Sequence, residues 1–211
     1  MKITARNKNP YRLFLLALCA ISFALAGCLR AGMLIYNVNV PFSSWLFAVL
    51  VMGAFLALAW GFEKFYWKWP IFRRWGIVNF PDLSGRWVGF LTSSYRRNEQ
   101  NVVVPISLEI SQDASSVFVR ACFERAKSDS IVAEFEDVDG KPFLYYVYDN
   151  AIKKKTLKHR GRDKGVVMLE YFEDEKNQKR QLKGTYFNDA APQANHGEIE
   201  VLYSGPKLYL H

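Results

Sequence analysis

The sequence predicts an all-β domain, an eight-stranded antiparallel up-and-down β-barrel with a lipocalin-like opening strand, preceded by two transmembrane α-helices. Three observations carry this expectation. Two long uncharged apolar runs lie within the first 62 residues. Period-two alternation broken by turn residues dominates the chain beyond Pro81. The alternating part opens on LSGRWVGFL, whose Gly-x-Trp-x-Gly core suits the first strand of a small barrel.

The first apolar run is uncharged over 13–29 and continues past Arg30 to about Tyr36; the second covers 42–62. Each reaches the roughly 20 residues needed to cross a hydrocarbon core. A cleaved signal peptide is the alternative for the first run, with Ala24-Leu25-Ala26 as its cleavage site. The apolar pattern continues beyond that site and a second run follows at once, which favours two spans. Lys2, Arg6, Lys8 and Arg12 precede the first run, and Lys64, Lys68, Arg73 and Arg74 follow the second. The link between them offers only Arg30, so the positive-inside rule places both ends, and the barrel, in the cytoplasm. Trp60, Tyr66, Trp67, Trp69 and Trp75 suit an aromatic belt at the inner interface. Ala24, Gly27, Ala31 and Gly32 offer a face on which helices could approach closely.

Eight alternating segments follow, at 85–95, 101–111, 116–124, 131–138, 142–148, 165–172, 180–188 and 197–203, with Asp139-Gly140 as one turn. Short loops favour pairing between chain neighbours. Eight such strands close into a barrel whose interior is filled or holds one small ligand, and closure removes exposed edges. A β-sandwich is the alternative. Trp87 between two glycines suits a plug at one barrel end, the glycines letting the strand bend. The expected division is 1–78 for the helices with their basic aromatic flank and 79–211 for the barrel.

Charge follows the same division. Lys and Arg exceed Asp and Glu by 8 over the whole chain, yet residues 82–211 hold 19 of each. The excess belongs to the apolar region and its flanks, which points to topology and lipid headgroups rather than to a DNA or RNA polymer. Cys19, Cys28 and Cys122 show neither a disulfide framework nor a zinc spacing. His159, His196 and His211 lack ligand spacing, no nucleophile motif or phosphate loop is present, and Glu173-Asp174-Glu175 suits a solvated hairpin tip. The expectation is a binding protein and no enzyme, with no cofactor or metal.

Two features point to an anionic, aromatic ligand. KKKTLKHRGRDK at 153–164 holds seven basic residues against one Asp. A solvated loop, or one touching anionic lipid, explains it equally. Beside it stand Tyr145, Tyr146 and Tyr148, with Tyr186 in a later strand. Aromatic faces stack on bases while Arg and Lys hold phosphates. Alternation sends Tyr146 and Tyr148 to one face and Tyr145 to the other, so only some of these rings line an interior.

The motifs LSGRWVGFLTSSY at 83–95, ISQ at 110–112, LYYVYDN at 144–150, LKHRG at 157–161, LKGTYFND at 182–189 and HGEIEV at 196–201 occur in order after the two apolar runs. In this the chain resembles the two-transmembrane, β-strand-rich effectors of CBASS, the bacterial cyclic-oligonucleotide antiphage systems. It departs from them after Gln112, where DASS stands in place of an early aromatic residue and blurs the boundary between strands two and three. The resemblance implies a barrel that binds a cyclic di- or oligonucleotide made by a functionally linked CD-NTase. Binding would drive homo-oligomerisation of the helices among membrane lipids, with inner-membrane disruption and cell death or growth arrest. For the ligand site, Tyr146, Tyr148 and Tyr186 are the candidates for stacking or hydrogen bonds, Asn150 and Asn188 for base edges, and Arg160 with Arg120 for phosphate. A membrane-tethered lipocalin-like barrel carrying a lipid is the alternative, and a filled barrel acting as a scaffold comes third. A lipid carrier requires a continuous apolar cavity; a nucleotide receptor requires converging polar groups.

Overall fold

The computed structural model describes residues 9–36, 44–97, 100–124, 126–150, 163–174, 177, 179–188 and 195–206. The chain divides into two compact units, Met1–Asn79 and Phe80–His211.

In the first unit, helices α1 (Asn9–Ile35) and α2 (Ser44–Lys64) are followed by a 3-10 turn (Tyr66–Lys68) and a short helix α3 (Pro70–Arg74). Phe14 meets Phe62 with ring centroids 4.5 Å apart and Phe23 meets Phe47 at 6.3 Å, so α1 and α2 form an antiparallel hairpin. Leu18, Ser22 and Ala26 are buried at four-residue spacing along α1. The Ser22 hydroxyl donates to the Leu18 carbonyl at 2.7 Å, which satisfies it within its own helix. Gly27 and Gly32 have nothing within 4 Å of where a Cβ would stand, so the small-residue face is left open by this hairpin. Phe14–Met33 and Leu46–Lys64 are long and apolar enough to be candidate membrane spans.

The second unit is a closed barrel in which every strand pairs antiparallel with its chain neighbours and the first with the last. The strands are β1 (Gly85–Arg97), β2 (Gln100–Gln112), β3 (Val117–Cys122), β4 (Lys127–Val138), β5 (Lys141–Asn150), β6 (Asp163–Asp174), β7 (Lys179–Asn188) and β8 (Asn195–Gly205). All eight expected strands are present. β2 ends at Gln112, and a turn in which the Asp113 N–H donates to the Ser116 carbonyl at 2.9 Å leads into β3. The departure after Gln112 is thus a tight turn. β4 starts four residues earlier than the alternation suggests, because KSDS carries no apolar signal and a register shift between Ser130 and Val132 interrupts the period. The Asp139-Gly140 turn has positive φ at both residues, 54° and 81°, the geometry that suits a two-residue hairpin.

Inward positions alternate with outward ones along each strand. Leu108, Ile110, Val119, Leu144, Leu169, Leu182 and Val201 are buried within one apolar cluster. Gly89 lets β1 pass close to β8, since a Cβ there would collide with the Glu200 carbonyl and stand 2.8 Å from the Val201 Cα.

One end of the barrel is plugged. Trp87 is wholly buried, its indole N–H donates to the Leu83 carbonyl at 2.9 Å, and Tyr203 and Tyr171 pack edge-on against it. The Arg180 guanidinium lies 3.5 Å over the Tyr203 ring and reaches the Asp82 carbonyl at 3.3 Å. The Gln112 carboxamide accepts from the Leu83 N–H at 2.8 Å and donates to the Pro81 carbonyl at 3.0 Å. The chain therefore enters the barrel at its plugged end, held by side chains from β1, β2 and β7.

Candidate functional site

The opposite end is hollow. A cavity of about 280 Å³ is lined by residues from the ends of all eight strands away from Trp87. Its apolar part is Leu91, Val102, Val104, Ile106, Ala121, Phe123, Val167 and Ile199; its polar part is Ser93, Ser128, Tyr146, Tyr148, Tyr186, Asn188 and Asn195. The lining is thus neither a continuous apolar tunnel nor a charged one. Among the described residues, no charged side chain lines it.

Strand register explains why these residues meet. Nearest the mouth, Tyr148 pairs with Gly165, Gly165 with Asn188, and Asn188 with Asn195. One layer deeper, Tyr146 pairs with Val167, Val167 with Tyr186, Tyr186 with Gly197, and Gly197 with Ser93. Each layer places a tyrosine opposite a glycine, and the absence of a side chain there leaves room for the ring. A Cβ on Gly165 would overlap the Tyr148 ring, and one on Gly197 would stand 2.7 Å from the Tyr186 ring. Tyr146 and Tyr148 lie with ring centroids 6.3 Å apart at 53°.

The polar groups are tied together unevenly. Ser93 and Asn195 are joined by hydrogen bonds of 2.9 and 3.1 Å, and the Ser94 hydroxyl donates to the Asn195 carboxamide oxygen at 2.7 Å. Burial raises the Tyr186 hydroxyl above its ordinary pKa, against the pull of its hydrogen bond to Ser93. Burial raises Tyr146 further, and neighbouring Tyr148 adds to the shift. Both phenols therefore stay neutral at physiological pH, as donors and acceptors of hydrogen bonds. Asn188 differs: its carboxamide oxygen is enclosed and meets no donor among the described residues.

Of the residues expected at a ligand site, the structure brings together Tyr146, Tyr148, Tyr186 and Asn188. Asn150 ends β5 opposite Asp163 and Ser128, at the mouth; its side chain lies outside the described residues. Arg160 and His159 also lie outside them, as does the rest of 151–162, though the residues flanking that segment, Asn150 and Asp163, are paired at the mouth. Arg120 is not brought to the cavity. It lies between inward-facing Val119 and Ala121, so its side chain leaves the barrel, and its guanidinium meets the Asp129 carboxylate at 2.7 and 3.1 Å. That hydrogen bond raises the Arg120 pKa, and the cation is committed on the outer surface. Sequence reasoning did not single out Ser93, Ser128 or Asn195. Polar residues at strand ends carry no periodic signal, and only the register of the closed barrel makes them neighbours.

The family profile described as Cap15, cyclic dinucleotide receptor domain, matches residues 78–202. CD-NTase-associated protein 15 from Staphylococcus schleiferi is 30% identical over 131 residues, which make up 62% of this chain and 65% of that protein. The chain thus spans just under two thirds of this relative's length.

Proposed function

This chain belongs to the Cap15 cyclic dinucleotide receptor family, and on that premise we propose that it is an effector of a bacterial CBASS antiphage system. Its barrel binds a cyclic di- or oligonucleotide released by a linked CD-NTase and reads that ligand without transforming it. The observation that carries the reading is the cavity itself. Three tyrosines and a carboxamide with an unmet acceptor converge at the end of the barrel where the strands flank the basic segment 153–164. Aromatic faces and amide edges suit bases, and Arg160 of that segment is the proposed phosphate contact. Binding drives the apolar helices to assemble in the inner membrane, with the barrel on the cytoplasmic side, and the disrupted membrane ends the growth of the infected cell. The basic residues flanking both helices support that orientation.

A second reading has one observation in its favour: the apolar floor of the cavity, Leu91, Ile106, Val167 and Ile199, would also take an acyl chain. Calorimetry of the full chain in detergent against cyclic di- and trinucleotides separates the two. The receptor reading expects at least one tight ligand, and Arg160→Ala to weaken it by roughly thirtyfold or more, the cost of one desolvated charge-assisted contact. Binding to none of the panel, with fatty acid retained through purification, would establish the lipid carrier instead.

A further inference from the structure

We propose that the cavity takes one nucleobase of the dinucleotide, edge toward Asn188, while both phosphates remain at the mouth, so that Asn188 selects a base carrying an exocyclic amino group. This rests on the receptor reading above and adds to it the ligand's orientation and the residue that discriminates between bases.

Two physical arguments set the orientation. A phosphodiester moved into low dielectric without a cation is prohibitively costly, and no charged side chain lines the cavity among the described residues. A nucleobase, in contrast, is neutral, flat and polar only at its rim. The cavity offers such a body tyrosine rings on its walls and aliphatic side chains at its floor. Its size agrees. At about 280 Å³ it falls just under the range of roughly 300–1,000 Å³ typical of whole drug-sized ligands. As bounded by the described residues, that volume suits one base more closely than a whole cyclic dinucleotide.

Selection follows from the lining atom that is buried without a partner among the described residues. Ser93, Ser94 and Asn195 satisfy one another, and Tyr186 is bonded to Ser93. Among the described residues the Asn188 oxygen has no such partner, and leaving a buried acceptor unmet costs about 1–3 kcal/mol. A ligand that brings an N–H donor there removes that cost, and one that brings a second carbonyl oxygen adds repulsion. The carboxamide's own N–H groups then suit a ring acceptor beside the amino group, the pairing by which asparagine reads adenine. Gly165 and Asn195, the cross-strand neighbours of Asn188, offer no competing charge at the same level.

The test compares cyclic purine dinucleotides with their hypoxanthine analogue, which lacks the exocyclic amino group of both adenine and guanine. Titrations use the full chain in detergent at several salt concentrations. Wild type should bind its preferred purine dinucleotide at least tenfold more tightly than the analogue. Asn188→Ala should weaken the purine ligand and erase the discrimination, while the slope of log affinity against log salt stays unchanged, because the phosphate contacts are untouched. Asn188→Ser, which keeps a small acceptor, should retain part of the discrimination and guards against a merely misfolded variant. If wild type binds the analogue equally well, or Asn188→Ala keeps the discrimination, the assignment is wrong while the receptor reading stands. A salt slope that falls in Asn188→Ala would place phosphate, not base, at this residue and would equally overturn it. Binding to no cyclic dinucleotide would remove the receptor reading and this inference together.

Discussion

Tyr148 and Gly165 face each other across β5 and β6, and the tyrosine ring lies so close over the glycine that a Cβ there would overlap its ζ carbon and hydroxyl. The same Cβ would stand 2.6 Å from the Phe187 carbonyl, so the strand cannot swing away to make room. Gly165→Ala should therefore push the ring into the cavity, weaken ligand binding and destabilise the barrel by about 1–3 kcal/mol. Removing the ring as well, in the Tyr148→Ala background, should recover part of that loss. Denaturant titration of the four-member cycle should give a coupling of about 0.5–3 kcal/mol; strict additivity would mean that the ring is not seated on the glycine.

Trp87 should matter to stability far more than to binding, because it plugs the end opposite the cavity. On residues 80–211 alone, which form one compact unit and should fold as a β-rich domain, Trp87→Ala should cost about 3–5 kcal/mol. A loss under about 1 kcal/mol would be incompatible with a wholly buried indole that holds the Leu83 carbonyl.

Arg120 offers a contrast on the outer wall. Its partner Asp129 has a half-exposed side chain, and such surface pairs contribute roughly 0–1 kcal/mol. Arg120→Ala should leave the affinity for any cyclic dinucleotide within about twofold of wild type and lower stability only slightly. A tenfold loss of affinity in calorimetry would bring this residue back into the ligand site.

The buried phenols predict an alkaline transition. Tyr146 and Tyr186 both have folded pKa values above the ordinary 10.0, so on raising the pH the unfolded chain loses these protons first. Their contribution to stability is complete below about pH 10 and is lost as the pH climbs through the folded values. Unfolding free energy should therefore show no pH dependence from these two tyrosines between about pH 7 and 9 and should decline above about pH 10. Tyr146→Phe should make that decline shallower. An identical decline in the variant would mean that Tyr146 titrates as an exposed phenol.

Much of the architecture was legible because a barrel wall repeats one simple instruction. V-x-V-x-I-x-L-x-I along β2 states which side faces in, and the same parity places Tyr146 and Tyr148 inside and Tyr145 outside. That parity also applied to Arg120: with Val119 and Ala121 turned inward, the residue between them had to point out. Basic character alone therefore does not make Arg120 a phosphate contact; its position on β3 pairs it with Asp129 on the outer wall. Asn188 was legible as a residue two positions beyond Tyr186 on the same face. Ser128 and Asn195 were not, for a different reason. Short polar side chains at strand ends look like loop, and their role depends on which strand lies beside them, a property of the closed sheet and not of any local stretch. The register shift in β4 hid Ser128 further by breaking the alternation that would have marked its strand.

The pairing of β1 with β8 also constrains how the molecule is made. Eight of the 13 residues of β1 pair with a strand more than a hundred residues away, Arg86 lying opposite Gly205. Contacts so distant in sequence form late, because the entropy of closing the long loop is lost before any pairing compensates it. Until β8 docks, β1 and β7 are bare sheet edges, Tyr186 has no Gly197 to lie on and Ile199 is missing from the cavity floor. A chain in which β8 has not docked should therefore lack the closed cavity and expose two raw edges to pairing with another copy.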